Sequence, residues 1–264
     1  LFAADRFEPE DMLAIQYDDR ALFLARWRDL LLKVLDESVA GEDAELAEYR
    51  RLVSEWIPRA APESVGYRFV RAFRLEVERR VFHALMAPAR EAYGDDVKLR
   101  RSNQFEAPLW SLVTAQPLHL LPDDYGSWNE FMLAAVRQNI DYFKTNFEGP
   151  LSRRRWGENN TAAIQHPLSR SLPLVDDFID IQADALNGDL DMPKAQGPKF
   201  GASERFSVSP GSESDSILHM PTGQSGHPLS QYYSRGHEDW LRGRPSPFLP
   251  GEAVHVLTLI PTER

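Results

Sequence analysis

The sequence predicts an α+β protein, with helices first and a few strands last. Three observations predict it. Apolar residues recur at helical spacing through most of residues 9–147. Residues 150–202 lose that period and fill with Pro, Gly, Asn and Asp. Beyond residue 204 the pattern turns to short alternating or continuous apolar runs of strand length. These shifts divide the chain into a mainly helical region, 1–149, and a region of wrapping loops and C-terminal strands, 150–264.

The first helix is expected over 9–39. Pro9 suits a first turn, Glu8, Glu10 and Asp11 put negative charge at the positive end of the helix dipole, and Leu24, Trp27, Leu31 and Leu35 keep helical spacing up to Gly41. A second helix, about 43–57, carries Leu46, Tyr49, Val53 and Trp56 as its stripe and stops at Pro58. A third spans about 63–86, with Phe69, Phe73, Val77, Val81 and Leu85 inward and Pro88 and Gly94 closing it. Residues 98–126 are mixed, with a short helix near 107–115. A fourth long helix, 127–147, starts from Ser127 as N-cap and turns Trp128, Phe131, Ala135 and Phe143 inward.

A structureless stretch as long as 150–202 is uncommon inside a compact domain and suits a segment that wraps a surface. Glu204–Ser209 and Ser216–Met220 read as a hairpin with a long loop, Phe206 and Val208 sharing one face. The segment from His219 to Trp240 then holds a tight loop, Gln224-Ser225-Gly226-His227-Pro228, and a short helix ending near Trp240. Val254–Ile260 is apolar on both faces and reads as a strand covered on both sides. Sheets average about five or six strands, so these few strands suit completion of a sheet supplied by another segment.

Composition narrows the function classes. The chain has 264 residues, enough for a large core, and a net charge of −10 from 30 basic and 40 acidic residues. That acidity disfavours a nucleic-acid partner, which needs a basic face. No apolar run is long enough to span a membrane as a helix. With no cysteine, disulfides, thiolate metal sites and a Cys nucleophile are excluded. The chain opens Leu1-Phe2-Ala3 without an initiator Met or a signal-peptide pattern, the look of a processed product or fragment.

Several residue groups have the types that chemistry requires, and each has a plainer reading. Ser225 with His219 or His227 and Asp215 suggests a Ser-His-Asp triad, yet GQSG is one residue short of a nucleophile elbow. His237-Glu238-Asp239 could hold a metal only if adjacent helical side chains pointed the same way. The pairs Asp95-Asp96, Asp123-Asp124, Asp176-Asp177 and Asp189/Asp191 read as solvated turn formers, the last lacking EF-hand spacing for calcium. Arg153-Arg154-Arg155 reads as a docking patch for an acidic surface. Phe105, Trp110, Tyr125 and Trp128 could line an acyl pocket or cap a hydrophobic core. No catalytic residue, metal ligand or cofactor is assigned from these patterns.

Four stretches together resemble the β-subunit of the penicillin amidase (penicillin acylase) family of N-terminal-nucleophile hydrolases. They are EDMLAIQYDDRALFLARWRDLL (10–31), WGENNTAAIQHPLSRSLP (156–173), GASERFSVSPGSESDSILHMPTGQSGHPLSQYYSRGHEDWLRG (201–243) and PFLPGEAVHVLTLIP (247–261). The third is the most specific, and the four follow the family order along essentially the whole chain. The resemblance implies a four-layer αββα sandwich and hydrolysis of an acyl-amide by an N-terminal Ser whose own α-amine is the base. It implies activation from a zymogen, a periplasmic or secreted location and a link to antibiotic biosynthesis. Position 1 is Leu rather than that Ser, and the oxyanion Asn of the family lies upstream of the matching stretch. The implied role is therefore the C-terminal half of a β-subunit, with the upstream β-subunit segment and the α-subunit of the same precursor as partners. It would complete the sheet and wall the acyl pocket, with Phe105 and Trp110 as the substrate-facing residues. The alternative is a non-catalytic binding or scaffold domain built on the helices.

Overall fold

The computed structural model describes residues 5–41, 43–94, 104–172 and 174–261. Leu1, Asp95-Asp96, Pro173 and the start of the 98–126 stretch lie outside them. Ten α-helices and four short strands are described: α1 (Pro9–Gln16), α2 (Leu22–Val34), α3 (Glu37–Gly41), α4 (Ala44–Ser54), α5 (Val65–Tyr93), α6 (Glu106–Ala115), α7 (Trp128–Asn146), α8 (Trp156–Asn159), α9 (Asp176–Ile179) and α10 (His237–Arg242), with β1 (Gln196–Gly197), β2 (Phe200–Gly201), β3 (Arg205–Ser207) and β4 (Ile217–His219). Helices dominate early and strands come late, so the chain is α+β. It divides into two compact units. One is Asp19–Thr161 with Ala185–Met192; the other joins Leu1–Asp18, Ala162–Asp184 and Pro193–Arg264.

The helical unit is organised by the stripes the sequence displays. Trp27, Leu31, Leu35, Tyr49, Val53, Phe69, Phe73 and Val77 are all fully buried in one continuous core, joined by Trp128, Phe131, Ala135 and Phe143 of α7. Aromatic rings interlock there: Tyr49 stacks on Phe69 with centroids 4.4 Å apart, and Phe69 on Phe143 at 5.1 Å. The starts are capped as expected for Ser127, which accepts from the Glu130 N–H, while Asp43 and Ser64 do the same for α4 and α5.

Two expectations for the helices fail for identifiable reasons. The helix predicted over 9–39 is three helices. Asp19 is buried, and its backbone leaves the helical ladder to pair with a neighbouring loop: the Asp19 carbonyl accepts from the Ala60 N–H at 2.9 Å, and the Ala21 N–H donates to Pro58 at 2.9 Å. The second break falls at Asp36, whose carboxylate accepts from the Ser38 and Val39 N–H groups and the Ser38 hydroxyl, starting a new helix. Those bonds, led by the one from Val39, hold the Asp36 carboxyl below its ordinary range. Conversely α5 does not stop at Pro88. The proline is exposed, so water can satisfy the carbonyl it leaves unbonded, and the helix continues to Gly94, whose φ of 65° ends it.

In the second unit, β3 and β4 form the expected antiparallel hairpin, with Arg205 opposite His219, Phe206 opposite Leu218 and Ser207 opposite Ile217. Its polarity is inverted. Arg205 and Ser207 are buried, whereas Phe206 and Val208 face outward. On its other edge β4 is met by residues 246–248: the Leu218 N–H donates to Ser246 and the Phe248 N–H to Ser216. The chain then leaves the sheet. Val254–Ile260 is not a strand covered on both sides: Val254, Val256, Leu257, Leu259 and Ile260 are 79–86% exposed. Among the described residues no backbone pairs with this segment, and an extended apolar run is covered only where a sheet edge receives it.

Candidate functional site

The loop after β4 is held by its own polar atoms. Gly223 is required there, since a Cβ would overlap the Tyr232 carbonyl oxygen. The Ser225 hydroxyl accepts the backbone N–H of His227, and His227 Nδ1 accepts that of Leu229 at 3.1 Å. Asp215 Oδ1 accepts from the Ser214 hydroxyl. His219 sends its Nε2–H to the Arg244 carbonyl at 2.7 Å. The side chains that could be written as a triad are thus each engaged separately, and no Ser–His–Asp relay is assembled. His237 lies between the Pro221 carbonyl at 2.7 Å and Asp184 at 3.3 Å, while Glu238 pairs with Arg242 and Asp239 with Arg244. No group of three metal-binding side chains converges among the described residues.

Opposite His219 on the hairpin sits a buried cation that the sequence pattern did not single out. The Arg205 guanidinium lies between the Tyr17 ring, 4.7 Å to the centroid, and the Trp240 ring, 5.1 Å. It donates to the Tyr17 hydroxyl, the Trp240 carbonyl and Gln196 Oε1, and its Nε finds no acceptor. Burial lowers its pKa, with the Tyr17 oxygen acting the other way. A cation on two desolvated rings gains about 2 kcal/mol per ring at best, against the cost of losing water without a carboxylate. Such a group fixes geometry more than it adds stability. It ties α1, the hairpin and α10 together.

The helical unit holds a second network, of arginines sharing too few carboxylates. Glu106, at the start of α6, accepts from Arg26 at 2.6 Å, Trp27 Nε1 at 2.8 Å and Arg74 Nε at 3.0 Å. Asp189 accepts from the Tyr67 hydroxyl at 2.7 Å and from Arg71, and burial first, then the Asp189 charge, pushes the Tyr67 phenol far up. Glu158 takes both Arg68 and Arg154. Arg154 is therefore no part of an outward patch: it is buried, and its guanidinium lies over Phe147 at 5.1 Å. In the WGENN stretch the Trp156 indole donates to Gly188, and Asn160 Nδ2 to Leu186 and Gly188. Asp189 is thereby anchored rather than solvated.

Phe105 and Trp110 both lie in this unit, partly buried against its core. Phe105 packs edge-on to Phe82 at 5.8 Å. Trp110 packs edge-on to Trp27 at 5.2 Å and carries Arg26 over its ring at 4.5 Å. Each keeps an exposed part, and each has a different partner. Tyr125 and Trp128 meet Phe131 instead, at 5.2 and 5.5 Å. The arginine ladder of α5 (Arg68, Arg71, Arg74) was legible only as polar filling between apolar positions. Its spacing of three residues, which puts all three near one face, was the available signal.

An α+β chain that presents these side chains as anchors, and not as a nucleophile with its base, is defined by its whole length rather than by one cluster. Residues 1–253 match the family model described as Penicillin amidase. The chain belongs to the penicillin amidase family, and so to a group of amidohydrolase type. No curated protein matches it significantly.

Proposed function

We propose that this chain is the C-terminal part of a penicillin acylase-like amidohydrolase that cleaves acyl-amide C–N bonds in linear, non-peptide amides. The observation that carries the reading is the family match across residues 1–253. The chain's own contribution is structural. Its Arg205–Tyr17–Trp240 clamp and its helical core set the shape of the C-terminal portion. Its apolar segment 254–260, exposed here, completes a sheet of the αββα sandwich provided by the upstream β-subunit segment. An N-terminal Ser on that segment is the nucleophile, its α-amine the base, and the oxyanion donors accompany it. Phe105 and Trp110 contribute to the wall of the acyl pocket, supported by their partial burial and aromatic character. Processing from a precursor, a periplasmic or secreted location and a role in antibiotic biosynthesis follow the same family likeness.

The test is intact-mass analysis of the purified protein followed by an amide-hydrolysis assay. Companion polypeptides, one beginning with Ser, together with hydrolysis of a phenylacetamide-type substrate support the reading. Trp110→Ala is then expected to raise KM with little change in kcat. A single species of this chain's mass, without hydrolysis, overturns it. The self-contained core of the helical unit would then favour a second reading, a non-catalytic binding or scaffold domain.

A further inference from the structure

We propose that Asn187-Gly188 is a site of spontaneous deamidation, and that the modification, once made, keeps the turn 186–189 from docking on the helical unit. The inference lies wholly within that unit and does not depend on the proposed amidase role. Asn187 alone among the asparagines is followed by glycine. With no Cβ on the next residue, the Gly188 backbone nitrogen can reach the Asn187 side chain. That nitrogen attacks Cγ, the Cγ–Nδ2 bond breaks, and ammonia leaves with the proton that Gly188 gives up. Water then opens the cyclic imide at either carbonyl and leaves aspartate or isoaspartate.

In the folded chain both reacting groups are engaged. The Gly188 N–H donates to the Ala60 carbonyl at 2.9 Å, and Asn187 Nδ2 donates to Asp19 Oδ2 at 3.0 Å. Reaction therefore requires the turn to open. That opening is local, because hydrogen bonds hold the turn more than apolar packing does. Leu186 is buried but lies outside the continuous core, and Asn187 is half-buried between exposed Ala185 and Leu190.

The consequence follows from what the turn holds. Asp19 is buried, and Asn187 meets it with a neutral N–H donor. A carboxylate at position 187 would set two negative charges at hydrogen-bond distance where little water reaches them. Arg59, the ion-pair partner of Asp19 at 2.5 Å, is half exposed and offsets only one of them. Isoaspartate would also lengthen the main chain by one methylene just before Gly188, whose carbonyl accepts from the Trp156 indole and Asn160 Nδ2. Asp189 follows directly, and it anchors Tyr67 and Arg71. Either product undocks the turn, so a chain modified during a brief opening stays open.

The experiment is peptide mapping by mass spectrometry of the purified protein, in the form in which it is isolated, during incubation at mildly alkaline pH with and without urea. Conversion is expected at Asn187 ahead of every other asparagine, with isoaspartate among the products, and about tenfold or more slower in the folded protein than in urea. Hydrogen exchange of the modified chains should show lost protection at Leu186 and Gly188 while the core of α5 and α7 keeps its own. Asn187→Asp is expected to lower the melting temperature by roughly 5–10 °C. The swap Asp19→Asn with Asn187→Asp again opposes one amide to one carboxylate and should recover part of that loss. Equal rates in the folded protein and in urea overturn the proposal, because the docked turn would then offer no protection. So does an intact Asn187 in the folded protein after full conversion in urea. An Asn187→Asp chain with an unchanged melting temperature, or a loss that the swap leaves untouched, overturns it as well.

Discussion

At the scale of single residues, two positions show how tightly local chemistry constrains the chain. Gly157 lies in the WGENN stretch, where an added Cβ would stand 2.8 Å from the Ala185 Cβ and 3.0 Å from the Pro62 Cβ. Gly157→Ala is expected to cost about 1–3 kcal/mol, the price of overpacking a filled site. Gly41→Ala, where nothing lies within 4 Å, should stay within about 0.5 kcal/mol. Urea denaturation of the two variants separates them. His219 gives a pH signature. Burial first, then the nearby Arg205 charge, lowers its pKa from the ordinary 6.5, against the hydrogen bond to Arg244 and the Asp239 charge. Its Nε2–H is spent on the Arg244 carbonyl and its Nδ1 has no partner, so a proton there would be buried without an acceptor. The folded state thus binds this proton less readily than the unfolded chain. Its stabilising contribution is complete above pH 6.5 and is lost as pH falls from there through the lower folded value. His219→Gln should flatten that part of the stability–pH curve; an unchanged slope would assign it to another group.

At the scale of elements, α6 depends on one carboxylate. Glu106 gathers two guanidinium groups and an indole from α2 and α5, and its side chain is only 19% exposed. Glu106→Gln keeps the size and removes the charge. It is expected to cost about 1–3 kcal/mol by leaving Arg26 and Arg74 poorly compensated. Glu55→Gln, at the exposed i,i+4 pair with Arg51, should change stability by less than about 0.5 kcal/mol. Chemical denaturation measures both. The same contrast explains what could be read in advance. Stripes such as Phe69–Phe73–Val77–Val81 determine a helix by burial alone, and they were legible. The breaks at Asp19 and Asp36 were hidden because a single aspartate redirects the backbone only when a distant loop or its own cap rewards it. The hairpin was legible from its two short runs of strand length, Glu204–Ser209 and Ser216–Met220. Its inverted burial was not, because Arg205 is held inside by Tyr17 and Trp240, residues far off in sequence. Phe105 and Trp110 were visible as aromatic residues, while the arginine ladder of α5 was not: its carboxylate partners at residues 106, 158 and 189 lie far off in sequence.

At the scale of the whole molecule, the segment 254–260 carries the argument. Val254, Val256, Leu257, Leu259 and Ile260 present their side chains to solvent, just after residues 246–248 have paired with β4. Exposure of this many large apolar groups in succession forgoes burial worth about 1.5–3 kcal/mol for each Leu or Ile. A long unpaired apolar segment is also an invitation to aggregation. Both costs disappear if a strand edge of the upstream segment receives it, as the proposed sandwich requires. Leu257→Asp distinguishes the two situations. In the chain alone Leu257 touches little, so the melting temperature should not move. In the assembled amidase the charge would fall between the layers of the sandwich, and the companion polypeptide should no longer co-purify, with amide hydrolysis lost in proportion. Retained association and activity would mean that this segment is not a strand of the sheet, and that the C-terminal part is held through the β3–β4 hairpin or the helices instead.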